Sequence, residues 1–121
     1  MGVRHVVVVC ESSDAGQTAL RDAATTAQEW DARLTVLALA ATERPSRCCN
    51  LQTTSWNAEM RRVAAEELGR ARTLLQGADA AFVVREGCGR HAAERAATEL
   101  GGDLLVRAGR RRSRRRTLTA R

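Results

Sequence analysis

Residues 5–10, with the sequence HVVVVC, constrain the fold more than any other segment of the chain. A continuous β-branched run of this kind is typical of a strand buried on both faces of a parallel sheet. The polar turn at residues 11–14 offers several helix N-caps, and apolar residues then recur at helical spacing from Leu20 to Trp30. A second apolar run at residues 34–41 completes a strand–helix–strand unit, for which we expect a right-handed crossover.

The rest of the chain repeats this alternation. Residues 42–56 are polar and contain the only proline, which predicts a loop. A long helix with one apolar face follows over residues 60–75, and Gly77 marks its end. The remaining predicted elements are a strand at 80–85, a turn at 86–89, a helix at 92–100 and a fourth strand at 103–106. This order predicts an α/β fold with a parallel sheet and helices on both faces.

Alanine makes up much of the apolar content of the chain. There are 22 alanines, nearly as many as the 23 leucine, valine and phenylalanine residues together. We therefore expect a core that buries little area per residue, and a stability toward the low end of the ~5–15 kcal/mol range. No run approaches the ~20 apolar residues of a membrane span, and the N-terminus lacks the layout of a signal peptide, so we expect a cytoplasmic protein.

The positive charge is concentrated at the end of the chain. Residues 107–121 contain eight of the 20 arginines and no acid, which leaves 12 arginines against 14 acids in residues 1–106. Residues 1–106 thus carry a net charge of −2, and the formal charge of +6 comes from the tail. We expect residues 1–109 to form one domain and residues 110–121 to be an Arg-rich, disordered tail.

Cysteine and histidine would carry metal or nucleophilic chemistry here. Cys10 ends an apolar run and is predicted to be a core thiol. The adjacent pair Cys48 and Cys49 cannot supply the usual C-x₂₋₄-C chelate, and Cys88 has only His91 near it in sequence. No Ser–His–Asp or Cys–His set lies at a spacing that supports nucleophilic catalysis. We therefore expect no metal site and no enzymatic activity.

Two segments carry a family resemblance. The first resembles the opening of a universal stress protein and reads VVVVCESSDAGQTALRDAATTAQEWDARLTVLALA. That opening typically has an apolar strand, Asp-Gly-Ser, a helix with Ala-Leu-x-x-Ala, and then Ala-x-Leu-Thr-Leu-Leu. The second is similar to the family's strand, Glu-Gly turn, helix and Gly-Ala-Asp-Leu-Ile-Val, and reads VVREGCGRHAAERAATELGGDLLV. Together the matches cover residues 5–109 outside the segment 42–56.

The resemblance implies a sheet of order 3-2-1-4-5, a nucleotide pocket between strands 1 and 4, and dimers formed through the fifth strand. Nothing after Gly109 is apolar enough to form that strand. We therefore expect the order 3-2-1-4, with the fifth strand missing and strand 4 at an exposed edge. A homodimer would then need a different surface.

The nucleotide site implied by the resemblance departs from the family pattern. The Asp after the family's first strand falls on Glu11, and its Gly falls on Ser12. Nucleotide-binding members carry Gly-x₂-Gly-x₉-Gly-(Ser/Thr) after strand 4, but here these glycines fall on Ala108, Arg111 and Arg121. Because glycine lets backbone N–H groups approach phosphate oxygens, the departures predict a degraded ATP-binding motif. The residues that would contact a nucleotide are Glu11, Ser13, Val36, Ala108, Gly109, Arg112 and Ser113.

Structural roles compete with these binding roles. Glu11 and Ser13, with Asp14 as competitor, are candidate N-caps of the first helix, and we favour that interpretation. His91 is expected to be a solvated residue in a helix's first turn, and His5 a strand-entry residue. We expect Trp30 and Trp56 to cover helix ends or the sheet edge.

The sequence as a whole predicts a non-catalytic, stress-related binding or regulatory domain. One alternative is a nucleotide binder that retains its pocket for ATP or AMP. Another is non-specific polyanion binding through the Arg-rich tail, which has no aromatic residue to stack on bases. A domain that binds neither remains a third alternative.

Overall fold

The computed structural model describes residues 3–43 and 50–108. Four strands in these ranges form one parallel sheet in the order β3-β2-β1-β4. The predicted α/β class, the strand order and the helices on both faces are confirmed. The elements are β1 His5–Val9, α1 Asp14–Glu29, β2 Arg33–Ala40, α2 Asn50–Leu74, β3 Ala80–Glu86, α3 Gly89–Glu99 and β4 Leu104–Val106.

The helix α2 begins earlier than the sequence suggests. Residues 50–56 are helical, so the prediction of a loop over 42–56 is wrong for its second part. Asn57 connects this early start to the chain after β2, because its side-chain oxygen accepts from the Glu43 N–H and its amide donates to the Glu43 carbonyl, each at 2.8 Å. Trp56 adds a hydrogen bond from its indole N–H to the carbonyl of Ala41 at 3.1 Å. Polar side chains fill the first turns of α2, which is why apolar periodicity did not reveal them.

Successive residues of β1 face two different cores. Val6 and Val8 pack with α1 and α2, whereas Val7 and Val9 pack with α3. All four side chains are at most 5% exposed. This burial on both faces explains why the segment is continuously apolar rather than alternating with polar residues.

Alanine forms much of the surface that the helices present to the sheet. In α3 the buried residues are Ala93, Ala96 and Ala97, and in α1 they include Ala19 and Ala23. Leucine and valine supply the larger side chains that fill the space between helices and sheet. The fully buried ones are Leu20, Leu37, Leu105, Val6, Val7, Val8 and Val36. None of the helices in the described ranges is both long and apolar enough to cross a membrane.

Candidate functional site

The order of the strands reverses beside β1. From β1 the chain adds β2 and then β3 on one side, and it returns to place β4 on the other side. Because the four strands are parallel, their carboxyl ends share one edge, which we call the carboxyl edge. Open α/β sheets bind ligands outside this edge, at the point where the strand order reverses. The candidate site is therefore formed by residues 10–13 after β1 and residues 107–108 after β4.

Two serines of the turn after β1 are hydrogen-bonded within the protein. Ser13 is the N-cap of α1, and its Oγ accepts a hydrogen bond from the Gly16 N–H at 3.0 Å. Ser12 Oγ donates to Glu67 Oε2 at 3.1 Å and accepts from the Arg70 guanidinium at 3.3 Å. The structure therefore shows Ser13 as the N-cap of α1, and Ser12 connects the turn to α2.

The backbone of this turn packs closely against the start of α1. A Cβ added at Gly16 would lie 2.4 Å from the backbone oxygen of Glu11, closer than real Cβ atoms approach such an atom. Gly16 thus allows α1 to begin directly beneath Glu11. The Glu11 side chain is exposed at the edge.

A cleft of about 190 Å³ lies between α1 and α2 next to this turn. Its lining includes the apolar side chains of Leu20 and Ala71 and the polar side chains of Glu11 and Glu67. Cys10 also lines it, and burial, with a smaller contribution from Glu67, raises the pKa of its thiol to about 12. The thiol is therefore neutral, and the prediction of a buried core thiol is confirmed. Pockets for drug-sized ligands span ~300–1,000 Å³, so the volume of this cleft lies below that range.

An ion pair joins β3 to α2 at the far side of the carboxyl edge. Arg61 Nε donates to Glu86 Oε2 at 2.7 Å, and Thr42 Oγ1 donates to Glu86 Oε1 at 3.2 Å. The hydrogen bond from Arg61 is the main reason why the pKa of Glu86 is lowered. Both charged side chains are about half exposed, so the pair contributes little to stability.

The end of β4 places a basic side chain at the reversal point. Arg107 follows Val106, and strand alternation puts it on the same face as Leu105, which packs against α3. Its Nε is buried and makes no hydrogen bond to any residue in the described part of the chain. Ala108 comes next and is partly buried.

Among the described residues, neither histidine side chain forms a hydrogen bond with a serine or cysteine. His5 starts β1 at the opposite end of the sheet, where its Nε2 lies 2.7 Å from Thr35 Oγ1. His91 is exposed in the first turn of α3, three positions after the exposed N-cap residue Cys88. Across residues 3–43 and 50–108, no three His, Cys, Asp or Glu side chains are grouped to hold a metal ion. Cys48 and Cys49 lie outside the described residues.

A model of the universal stress protein family matches residues 2–119. The chain belongs to this family. No match was found among curated proteins. Solved structures of universal stress proteins share the fold at low sequence identity. UspA from Lactobacillus plantarum superposes with a TM-score of 0.71 and 21% identity, over 86% of this chain and 75% of that chain.

Two further solved structures support the same fold. A universal stress protein from Burkholderia pseudomallei has a TM-score of 0.62 and 22% identity, over 96% of this chain and 84% of that chain. The universal stress protein from Archaeoglobus fulgidus in complex with dAMP has a TM-score of 0.52 and 17% identity, over 86% of this chain and 78% of that chain.

The residues predicted to contact a nucleotide in this universal stress protein are not all at the carboxyl edge. Glu11 and Ser13 lie in the turn after β1, and Ala108 lies just after β4. Val36 is fully buried in the core beneath α1 and α2, so its side chain does not reach the edge. Binding by these residues stays a prediction. Gly109, Arg112 and Ser113, the predicted tail and the segment where a fifth strand was sought lie outside the described residues.

Sequence reasoning missed three residues of the site. Glu67 and Arg70 reach Ser12 from α2, more than fifty positions away, and no local pattern indicates such a contact. Arg107 was counted with the Arg-rich tail, although it directly follows the predicted fourth strand. Its position after an apolar strand was the signal that separates it from the later arginines.

Proposed function

We propose that this universal stress protein is a non-catalytic binding or regulatory domain of the stress response, with a nucleotide site too reduced to hold ATP in the family's usual way. The observation that carries the proposal is the internal bonding of the turn after β1. Ser13 Oγ caps α1, and Ser12 Oγ lies between Glu67 and Arg70. Hydroxyls that are engaged by the protein in this way are less free to bind a ligand.

The end of β4 supports the same proposal. Ala108 stands where the nucleotide-binding pattern has its first glycine, and its Cβ occupies space next to the backbone N–H groups. The second glycine is replaced by Arg111. Arginine can attract phosphate by charge, but it does not reproduce the close backbone contact that glycine permits.

A non-catalytic role agrees with the hydrogen bonds of the edge. Nucleophilic catalysis by serine needs a base within hydrogen-bonding reach. Among the described residues, Ser12 bonds to Glu67 and Arg70, and Ser13 bonds to a backbone N–H, while His5 pairs with Thr35 elsewhere.

Calorimetric unfolding of the full chain with and without Mg-ATP tests the proposal. A ligand present at a hundredfold its Kd adds about 2.7 kcal/mol of stability, which corresponds to a Tm shift of several degrees in a domain of this size. We expect no such shift with Mg-ATP. Glu29→Ala is the control, because Glu29 is exposed at the far end of α1. A Tm shift with Mg-ATP that is lost in Glu11→Ala and kept in Glu29→Ala would contradict the proposal.

The same experiment with dAMP and AMP distinguishes a mononucleotide binder from a protein that binds no nucleotide. The structural neighbour from Archaeoglobus fulgidus is a complex with dAMP, which makes a nucleoside monophosphate the natural second ligand to test. Stabilisation by dAMP or AMP without stabilisation by Mg-ATP would favour a smaller site at the carboxyl edge. Stabilisation by all three would favour a retained nucleotide pocket.

Charge distribution supports a second candidate function, polyanion binding through the tail. Residues 107–121 hold eight arginines and no acid, while residues 1–106 carry −2. Neutralising ~5 phosphates would give a slope near −4.5 for log K against log salt concentration. Replacing Arg110, Arg111 and Arg112 by glutamine should reduce that slope on heparin or DNA. An unchanged slope would assign the retention to the folded domain.

A further inference from the structure

The side of β3 that faces away from β2, which we call the β3 edge, carries no strand from the described ranges. β3 is seven residues long, whereas β4 on the other side of the sheet has three. Its register with β2 is continuous, and it contains no glycine, no proline and no charge before Arg85. Proteins usually protect an edge with charges, a bulge or a short strand, so this edge is open to pairing with a further strand.

The backbone of β3 directs alternate residues toward this edge. The Gly87 N–H donates to the Ala40 carbonyl at 2.8 Å, so the odd-numbered residues of β3 hydrogen-bond with β2. Ala80, Phe82 and Val84 therefore direct their N–H and C=O groups away from β2. An edge of this kind recognises an extended strand through main-chain hydrogen bonds.

The side chains of β3 are also less covered than those in the middle of the sheet. On the α3 face, Val7 and Val9 of β1 are at most 5% exposed. On the same face of β3, Val83 is only partly buried and Ala81 is exposed. A strand beside β3 would cover part of this apolar surface, so burial and backbone pairing favour the same position.

The charges at the ends of β3 make it complementary to a second copy of itself. Asp79 directly precedes the strand, Arg85 lies near its end, and both are exposed. When two copies of β3 pair antiparallel with Phe82 opposite Phe82, Asp79 of each copy lies opposite Arg85 of the other. Ala81 then lies opposite Val83, and no like charges face each other. Opposite charges on directly opposed residues stabilise a pair of strands.

Net charge favours the β3 edge over the edge of β4 as a contact between copies. The chain carries +6, and the arginines responsible for it follow β4 in sequence. Two four-stranded sheets joined through β3 place their β4 strands at opposite ends, about 33 Å apart at ~4.8 Å per strand. This separation is several times the Debye length of ~8 Å, so repulsion between the β4 ends is largely screened. Pairing through β4 would bring the two positive segments together.

We propose that two copies of this chain form a dimer through the β3 edge, with the strands antiparallel and Phe82 opposite Phe82. Each copy uses the same edge, so the assembly closes at two chains. The strand pair gains about six main-chain hydrogen bonds. Because the contact is limited to one strand and its flanking side chains, the dimer dissociates on dilution. The surface lies on the side of the sheet opposite β4, and the dimer needs no ligand at the carboxyl edge.

Sedimentation equilibrium of the full chain at increasing concentration tests the proposal. The mass should rise from 13.2 kDa toward twice that value. A chain that stays monomeric up to about 1 mM, a concentration that populates even weak complexes, would overturn the proposal. Growth into species heavier than a dimer would also overturn it, because antiparallel pairing through one edge closes at two copies.

Charge reversal tests the register of the two strands. Asp79→Arg and Arg85→Asp each place like charges opposite each other at both ends of the pair. Each should raise the dissociation constant about tenfold or more, since attraction becomes repulsion at two symmetric positions. The double variant exchanges the charges and should return to within about threefold of the wild type. Asp22→Arg, at an exposed position of α1, is the control with the same change of charge and should dimerise like the wild type.

A proline variant tests the main-chain hydrogen bonds. Ala80→Pro removes an N–H that points away from β2, at the first residue of the strand, where proline is tolerated. It should weaken the dimer several-fold and leave the fold intact, as circular dichroism would show. If Ala80→Pro dimerises as tightly as the wild type, or if the double charge variant is as weak as the single ones, the proposed pairing is wrong. A dimer that no β3 substitution weakens lies on another surface, which would equally refute it.

Discussion

The substitution of glycine by alanine should have opposite effects on stability at two helical positions. Gly16 lies in the first turn of α1, where an added Cβ would lie 2.4 Å from the Glu11 carbonyl oxygen and 2.9 Å from the Glu11 Cβ. Gly69 is exposed in α2, and an added Cβ there would have no heavy atom within 4 Å. The comparison therefore isolates the close contact beneath Glu11.

The magnitudes follow from helix propensity and from overpacking. Alanine is about 1 kcal/mol more favourable than glycine inside a helix, so Gly69→Ala should raise the free energy of unfolding by about that amount. At Gly16 the obstructing atom belongs to the backbone and cannot rotate away. Relieving the contact requires a shift of the turn after β1, and overpacking of this kind costs ~1–3 kcal/mol. A contact of 2.4 Å with a backbone oxygen belongs to the upper part of that range, about 2–3 kcal/mol. After the gain of about 1 kcal/mol in helix propensity, we expect a net loss of about 1–2 kcal/mol in Gly16→Ala.

Urea unfolding and thermal unfolding measure both changes. With ~3–5 °C per kcal/mol for a domain of this size, Gly16→Ala should lower the Tm by about 5 °C and Gly69→Ala should raise it by about 3 °C. A Cβ at Gly69 would contact neither Glu11 nor Gly16, so the double variant should show the sum of the single effects. A Gly16→Ala variant as stable as the wild type would refute the packing of α1 against Glu11.

Three further substitutions test other parts of the fold. Leu105→Ala removes a fully buried side chain from the core beneath α3 and should cost ~2–5 kcal/mol in urea unfolding. Ser13→Ala removes the α1 N-cap and should cost about 1 kcal/mol, whereas Ser55→Ala, at an exposed position of α2, should change the Tm little. Burial is the main reason why the pKa of His5 is lowered from 6.5, so the unfolded chain binds a proton more readily than the folded one. The contribution of His5 to the free energy of unfolding should therefore be complete above about pH 6.5 and decrease as the pH falls below it. Urea unfolding at pH 7.5 and at pH 5.5 measures this decrease, which should be smaller in His5→Gln than in the wild type.

Local pattern was enough to predict most of the fold. The strand β1 and the buried alanines of α3 follow from periodicity, because both faces of the strand and one face of the helix are buried. The start of α2 did not follow, since residues 52–55 are Gln, Thr, Thr and Ser and carry no apolar side chain. Their helical state depends on contacts such as the Asn57 side chain with Glu43, which apolar periodicity does not record.

The candidate site was predicted less completely than the fold. The family resemblance located the turn after β1 and the end of β4, because it implied the strand order and a pocket between strands 1 and 4. The contacts of Ser12 with Glu67 and Arg70 join residues more than fifty positions apart, and no sequence pattern indicates such a pairing. Val36 stays a predicted nucleotide contact, and the structure adds that its side chain packs in the core beneath α1 and α2.

The two cores of the sheet differ in size, and the difference has a consequence for local opening. In the described residues, the core beneath α1 and α2 contains 17 buried side chains, and the core beneath α3 contains seven. Segments with few buried apolar contacts open at lower free energy than the molecule as a whole. Amide hydrogen exchange should therefore be faster in α3 than in α1, whose buried side chains belong to the larger core.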